Sequence, residues 1–197
     1  MIRNLAFLLL LLSLASCGLF RQTTQSAVDP GAETLISQGK RLLRADDFPE
    51  AMDKFELAWD RDIHRSSSLA LYLSGLSAYF ANFDDIATQR FETLLRVFPK
   101  SRYAEEARYH LALVGMRSDN IRERNRAFAQ LTGLQTQARN QQIREQARMQ
   151  WKRYIFEEMS LEEVRKNYAE ADPAEKSILL EALSYRLVSK QQRPQQS

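Results

Sequence analysis

The side chains able to do chemistry in this chain are few and scattered. Its two histidines are His64 and His110. His64 stands in Asp60-Arg61-Asp62-Ile63-His64, beside two carboxylates but with no second histidine or cysteine near it. Metal sites take several such ligands at defined spacing, so this stretch reads as a solvated loop between helices. His110, within Tyr109-His110-Leu111, reads as a helix-surface or partly packed residue. The paired acids Asp46-Asp47 and Asp84-Asp85 fall where helices are expected to begin. There a carboxylate caps free N–H groups and complements the helix dipole. The sequence has no glycine-rich phosphate loop and no nucleophile elbow. Catalysis needs a constellation, and none can be assembled. The expectation is a binding protein, not an enzyme, with no cofactor and no metal.

The single cysteine, Cys17, carries chemistry of another kind. Ahead of it lie Arg3, an apolar run from Leu5 to Leu12, and Leu14-Ala15-Ser16. A charged start, an apolar stretch of about ten residues and small residues before a cut describe a secretory signal peptide over residues 1–16. A spanning helix needs about 20 apolar residues, and this run stops too soon. A cysteine directly after Leu-Ala-Ser resembles the lipobox of bacterial lipoproteins. The resemblance implies that the Cys17 thiol receives a diacylglycerol, that the leader is cut before it, and that the new amino group is acylated, with palmitate for example. An ordinary cleaved leader and an uncleaved anchor are the alternatives, and neither gives a reason for a lone cysteine at this spot. In enteric bacteria an Asp after the lipidated cysteine retains a lipoprotein in the inner membrane. Gly18 stands there, which implies lipid anchoring at the outer membrane, with the domain facing the periplasm.

The remaining composition bounds the fold. The 197 residues include 28 basic and 25 acidic side chains and carry a net charge of +3. Loss of residues 1–16 removes Arg3 and leaves about +2, so the basic isoelectric point reflects a small excess and argues for no nucleic-acid partner. With one cysteine there is no intramolecular disulfide, and a secreted domain must hold itself by its core. Six glycines and five prolines are few. Abundant Ala, Leu, Arg, Gln and Glu favour helix.

Residues 17–31 show no periodicity and read as a flexible tether; residues 191–197 are polar and expected to be disordered. Between them, apolar residues recur at three- and four-residue spacing, the signature of an all-α chain. The helices repeat in pairs. Gly39 and Gly75 lie 36 residues apart, and each is followed by Ala at twelve (Ala51, Ala87) and Phe at sixteen (Phe55, Phe91). An apolar residue follows at nineteen (Ala58, Leu94), and Pro99 closes the second copy. This pattern resembles the tetratricopeptide repeat, whose helix–turn–helix units stack into a right-handed solenoid. The resemblance places units at about 32–65, 68–101 and 102–138. The third is degenerate, with Gly115, Ala127, Leu131 and Leu134 keeping the offsets. In this packing scheme Gly39 and Gly75 admit the second helix of their unit, Ala51 and Ala87 sit across from them, and Phe55 and Phe91 fill the space between units.

Further helices are expected over 141–190. Ile143, Ala147, Trp151 and Ile155 form one stripe, Ser160-Leu-Glu-Glu163 is a capping-box signature, and Asp172-Pro173 opens a last helix presenting Leu179, Leu183 and Leu187. These helices are expected to cap the solenoid.

In tetratricopeptide proteins the first helix of each pair lines a concave groove. Carried over residue by residue, the resemblance implies groove positions Glu33, Ile36, Lys40, Leu43 and Arg44, then Leu69, Tyr72, Leu76, Tyr79 and Phe80. Aromatic and arginine side chains dominate interface energies, so Lys40, Arg44, Leu69, Tyr72, Leu76, Tyr79 and Phe80 are the candidate binding residues, for an extended or helical peptide. A second patch is basic: Arg117, Arg122, Arg124, Arg126, Arg139, Arg144, Arg148, Lys152 and Arg153. It reads as a solvated face or as a contact for an acidic partner or anionic headgroups.

The stretch from Phe91 through Phe98-Pro99 and Ser101-Arg-Tyr103-Ala104-Glu-Glu-Ala107-Arg-Tyr109 is similar to the repeats of the BamD-type outer-membrane assembly lipoproteins. That family carries five repeats in a longer chain; this one has two clear copies and a weak third. The expected function is a membrane-anchored periplasmic protein–protein adaptor, with assembly of outer-membrane proteins as the specific form the resemblance implies. A pilotin-like or secretion-accessory lipoprotein and a scaffold for peptidoglycan enzymes are the alternatives. The expected partners are envelope proteins and, through the lipid, the membrane; nucleic acid and small-molecule substrates are not expected.

Overall fold

The computed structural model describes residues 30–61 and 67–192, which are helical almost throughout and, among themselves, contain no strand. Cys17, the leader, His64 and the tail 193–197 lie outside the described residues. Among the described residues nine helices follow in order: α1 (Pro30–Arg44), α2 (Phe48–Arg61), α3 (Ser67–Phe80), α4 (Asp84–Val97), α5 (Ala104–Met116), α6 (Ile121–Gln137), α7 (Gln141–Arg153), α8 (Leu161–Glu170) and α9 (Pro173–Gln192). A one-turn π segment, Tyr154–Glu158, extends α7. Helix α1 starts at Pro30, inside the stretch read as tether, because proline suits the first helical position. Helix α9 continues to Gln192 and takes in two glutamines read as tail.

From α1 to α7 each helix packs on its successor, and α3 also touches α5, as α5 does α7. Connections of three to six residues force successive helices to run antiparallel. The result is a solenoid of helix–turn–helix units. Helices α3, α5 and α7 share one face, and α2, α4 and α6 stand behind it.

Glycine decides how closely the first two pairs approach. A Cβ on Gly39 would stand 2.6 Å from the Phe55 ring, and one on Gly75 would stand 2.7 Å from the Phe91 ring. Both rings are fully buried. The ring itself therefore lies on the glycine, where the repeat pattern put Ala51 and Ala87. Those alanines are buried in the same two clusters as the rings they accompany. Burying each ring is worth about 2–3 kcal/mol. A polar link ties the pairs together: Glu56 of α2 accepts from Ser74 of α3 at 3.3 Å and pairs with Arg90 of α4 at 2.7 Å.

The first two turns are built alike. Asp46 and Asn82 adopt φ of 59° and 60°. The N–H groups one residue on, from Asp47 and Phe83, donate back to Leu42 and Ala78 carbonyls at 3.0 and 2.9 Å. This is the Schellman arrangement, with Asp and Asn taking the left-handed place usually given to glycine. Of the four acids read as helix caps, Asp47 accepts from the Glu50 N–H at 3.4 Å. Asp46 serves the turn, and Asp84 and Asp85 lie inside the first turn of α4 after Phe83, which makes no side-chain cap.

The third pair departs from this plan. Gly115 sits next to the end of α5, whereas Gly39 and Gly75 stand well inside their helices. Its nearest neighbour would be the Ala127 Cβ at 2.8 Å, with no ring in between. Leu131 occupies the sixteen-residue offset and packs in a separate cluster with Tyr109, Ala112, Ile143, Ala147 and Trp151. The offsets survive in sequence, but the contact has moved one turn toward the tip of the hairpin.

The C-terminal helices close this cluster. Ser160 and Glu163 form the full capping box, and Asp172 accepts from the Glu175 N–H at 2.9 Å. A π turn leaves carbonyls without their regular helical donors. Arg186 of α9 reaches two in this segment, donating to Phe156 and Ile155 at 2.9 and 2.8 Å.

Candidate functional site

The face shared by α3, α5 and α7 carries a continuous run of rings. Tyr72 of α3 stacks on Tyr103 at 5.3 Å and 8°. His110 of α5 stands at the centre, with centroids 5.9 Å from Tyr72, 5.6 Å from Tyr79, 5.7 Å from Phe91 and 5.2 Å from Tyr109. Its Nδ1–H donates to the Glu106 carbonyl at 2.8 Å, which fixes the tautomer and leaves Nε2 as an acceptor. Burial holds the imidazole below its usual pKa, against the opposing effect of that bond. Burial, then the Glu106 carboxylate, then Tyr103 push the Tyr72 hydroxyl up to about 12. Glu106 itself has one oxygen near Asn140 and a second, Oε2, buried without a hydrogen-bond partner. The imidazole Nε2 and the Glu106 carboxylate thus both sit inside this aromatic shell.

The predicted groove residues divide. Leu69 and Leu76 pack against the α1–α2 cluster, and Tyr72 is shared between the first two clusters. Ile36 is buried, Lys40 and Leu43 are half-buried, and Glu33 and Arg44 are exposed. Phe80 is 45% exposed and packs at a 30° tilt against Phe48, with centroids 5.3 Å apart, toward the tip of the hairpin. The helix face is thus occupied by its neighbours around Tyr72, and it opens at Tyr79.

There the structure has a cavity of about 470 Å³, lined by Tyr79, Leu113, Met116, Arg117, Leu131, Gln150, Arg153, Tyr154 and Glu158. Arg117 lies over the Tyr79 ring at 3.9 Å and bonds the Tyr79 carbonyl, Asn82 and Asp84 at 3.1, 3.2 and 3.0 Å. Asp84 therefore positions an arginine instead of capping a helix. Arg153 is exposed and makes no ion pair among the described residues. Tyr154 and Glu158, the first and last residues of the π turn, line the same wall.

The basic patch read from the sequence does not act as one surface. Arg117 serves Tyr79 and Asp84, while Arg124 and Arg144 each reach back to a carbonyl before their own helix, Ser118 at 2.7 Å and Ala138 at 2.6 Å. Asn120 and Asn140 cap the same two helices. Arg153 alone of the patch joins Arg117 in the cavity.

Among the described residues no three His, Cys, Asp or Glu side chains gather as a metal site, and no helix is long and apolar enough to cross a membrane. Comparison with known proteins finds no matching family profile, no matching curated protein and no matching solved structure. The site's own geometry carries the functional argument.

Proposed function

We propose that this chain is a protein-interaction adaptor, lipid-anchored through Cys17 at the outer membrane and facing the periplasm, which receives a partner segment in the cavity between α3, α5 and α7. One observation carries the reading. Two tyrosines, two arginines, a glutamine and a glutamate converge on an open cavity of about 470 Å³ at a helix-lined face. The apolar floor of Leu113, Met116 and Leu131 offers area for a side chain of the partner. Arg117 is already pinned by Asp84 and Tyr79, so it loses little freedom on binding. Arg153 supplies a charge for a carboxylate or a main-chain carbonyl. The lipid anchor rests on Leu14-Ala15-Ser16-Cys17, and the outer-membrane address on Gly18.

The sequence similarity over Phe91–Tyr109 favours outer-membrane protein assembly as the pathway, with secretion accessory or peptidoglycan scaffold as rivals. In the fold those residues pack the solenoid: Tyr103 on Tyr72, Ala104 and Ala107 against α4, Tyr109 in the C-terminal cluster. The pathway is therefore decided by the partner. Photo-crosslinking from Gln150 in growing cells, followed by mass spectrometry, identifies it. A β-barrel assembly component supports the assembly reading, and a secretin or a peptidoglycan hydrolase replaces it with a rival. Loss of the crosslink in Arg153→Glu places the contact in this cavity. An unchanged crosslink in that variant removes the cavity from the account.

A further inference from the structure

Antiparallel alternation sorts the connections onto two edges of the solenoid. The turns at 45–47, 81–83 and 117–120 lie on one edge. The connections at 98–103 and 138–140 lie on the other, with the end of α2 at Arg61 and the start of α1 at Pro30. The second edge carries a depression of about 690 Å³ between the two connections, walled by Lys100, Arg102, Arg108 and Arg139. All four are exposed, and none forms an ion pair among the described residues.

The one carboxylate lining the depression is already occupied. Glu105 accepts the backbone N–H groups of Arg139 and Asn140, both at 2.8 Å. Partial burial pushes its carboxyl up, but those two donors and the charges of Arg139 and Arg108 outweigh burial and hold it below its usual value. Its charge joins the two connections and lowers the excess from four to three. Elsewhere on this edge Arg61, Arg96 and Arg144 are offset by Glu33, Asp60 and Glu106. The opposite edge has Asp46, Asp47, Asp85 and Asp119 in or beside its turns, against Arg44 beside the first turn and Arg117, which is paired with Asp84.

A second, independent observation says what this edge meets. The chain enters α1 at Pro30 on the same edge, and twelve residues separate Pro30 from Cys17. Such a length spans at most about 45 Å when fully extended. The tether thus leaves the fold at the cationic edge, and the 14-residue helices set the acidic turns about 20 Å further from that attachment point.

We propose that this edge, through Lys100, Arg102, Arg108 and Arg139, rests on anionic phospholipid headgroups, so that the anchored domain stands on the membrane with its groove side-on. The inference rests on the lipid anchor at Cys17, and it adds an orientation that an anchor alone does not give. Each Lys or Arg near an anionic surface contributes about 1 kcal/mol, within a Debye length of about 10 Å. Three net charges correspond to roughly a hundredfold preference for this edge over a neutral one.

The test uses the full chain, isolated as it exists in the envelope and reconstituted in vesicles of phosphatidylcholine with or without phosphatidylglycerol. A photo-reactive residue is placed at exposed Gln141 on the cationic edge or at exposed Asp85 on the other. The expected result is phospholipid adducts from Gln141 in the anionic vesicles, at least tenfold fewer from Asp85, and at least a tenfold loss from Gln141 in K100E/R108E/R139E. Equal yields from both edges, or a yield unmoved by the charge reversal, would overturn the proposal. Adducts from Gln141 in whole envelopes that hold a protein in place of phospholipid would also overturn it, in favour of an acidic partner. The mass of the Cys17 peptide reports the anchor separately, so an unlipidated cysteine and a wrongly assigned edge are told apart. An unchanged melting temperature in the triple variant keeps the comparison valid.

Discussion

The second helix pair and the third obey the same spacing and pack differently. In α3–α4 the glycine stands well inside its helix and the Phe91 ring fills the hole it leaves. In α5–α6 the corresponding glycine is at the helix end, the contact is Ala127, and Leu131 supplies less volume. The first arrangement is a rigid interlock. The second leaves the α5–α7 side less completely filled, and the cavity of the candidate site opens there, with Leu131 in its lining. Regularity in this chain holds the scaffold, and the departure from it accompanies an open cavity.

The comparison can be broken most strongly at the ring. Phe91→Ala removes a fully buried aromatic and is expected to cost about 3–5 kcal/mol, read as a fall in denaturation midpoint. Gly75→Ala forces the same ring to move and is expected to cost about 1–3 kcal/mol despite better helix propensity. A Cβ on Gly133, by contrast, would meet nothing within 4 Å. Gly133→Ala is therefore expected to stabilise by about 0.5–1 kcal/mol. If both glycine variants shifted stability the same way, close approach would not be what selects glycine at 75.

The ring cluster gives a pH signature of intermediate size. Burial depresses the folded pKa of His110, so the unfolded chain binds the proton more readily. Stability from this group is complete above the ordinary imidazole value of about 6.5 and falls as pH drops from there through the folded pKa, by at most about 1.4 kcal/mol per pH unit. Thermal melts from pH 7.5 to 5 should show this loss, and His110→Phe should flatten it. Arg117→Met, which removes the cation over Tyr79 and the pair with half-exposed Asp84, is expected to cost about 1 kcal/mol or less. Its larger consequence should be on partner binding.

Much of the fold was legible because small and aromatic residues at a fixed offset have few packing solutions. The Gly39–Phe55 and Gly75–Phe91 spacing predicted two helix pairs, and Ser160–Glu163 marked a helix start without tertiary help. The third pair was legible in number and misleading in register, since an offset does not say where in its helix a glycine stands. The candidate site was only half visible. Tyr72, Tyr79 and Phe80 were placed on the right helix by the repeat pattern, but nothing local shows that Tyr103 and His110 cover Tyr72. Arg117 and Arg153 were read as members of a basic patch, because the sequence does not reveal that Asp84 holds Arg117 at the cavity that Arg153 of α7 also lines. Asn120 with Arg124, and Asn140 with Arg144, carried a twenty-residue echo that a search for tetratricopeptide spacing passes over.

The central claim is that the cavity between α3, α5 and α7 receives the partner, and a pair of crosslinks tests it most directly. A photo-reactive residue at Gln150 lies in the cavity, and one at exposed Gln89 of α4 lies behind it. The account predicts a discrete protein adduct from Gln150 in cells, lost in Arg153→Glu, with none of the same mass from Gln89. The same adduct from both positions, or from Gln89 alone, would contradict it.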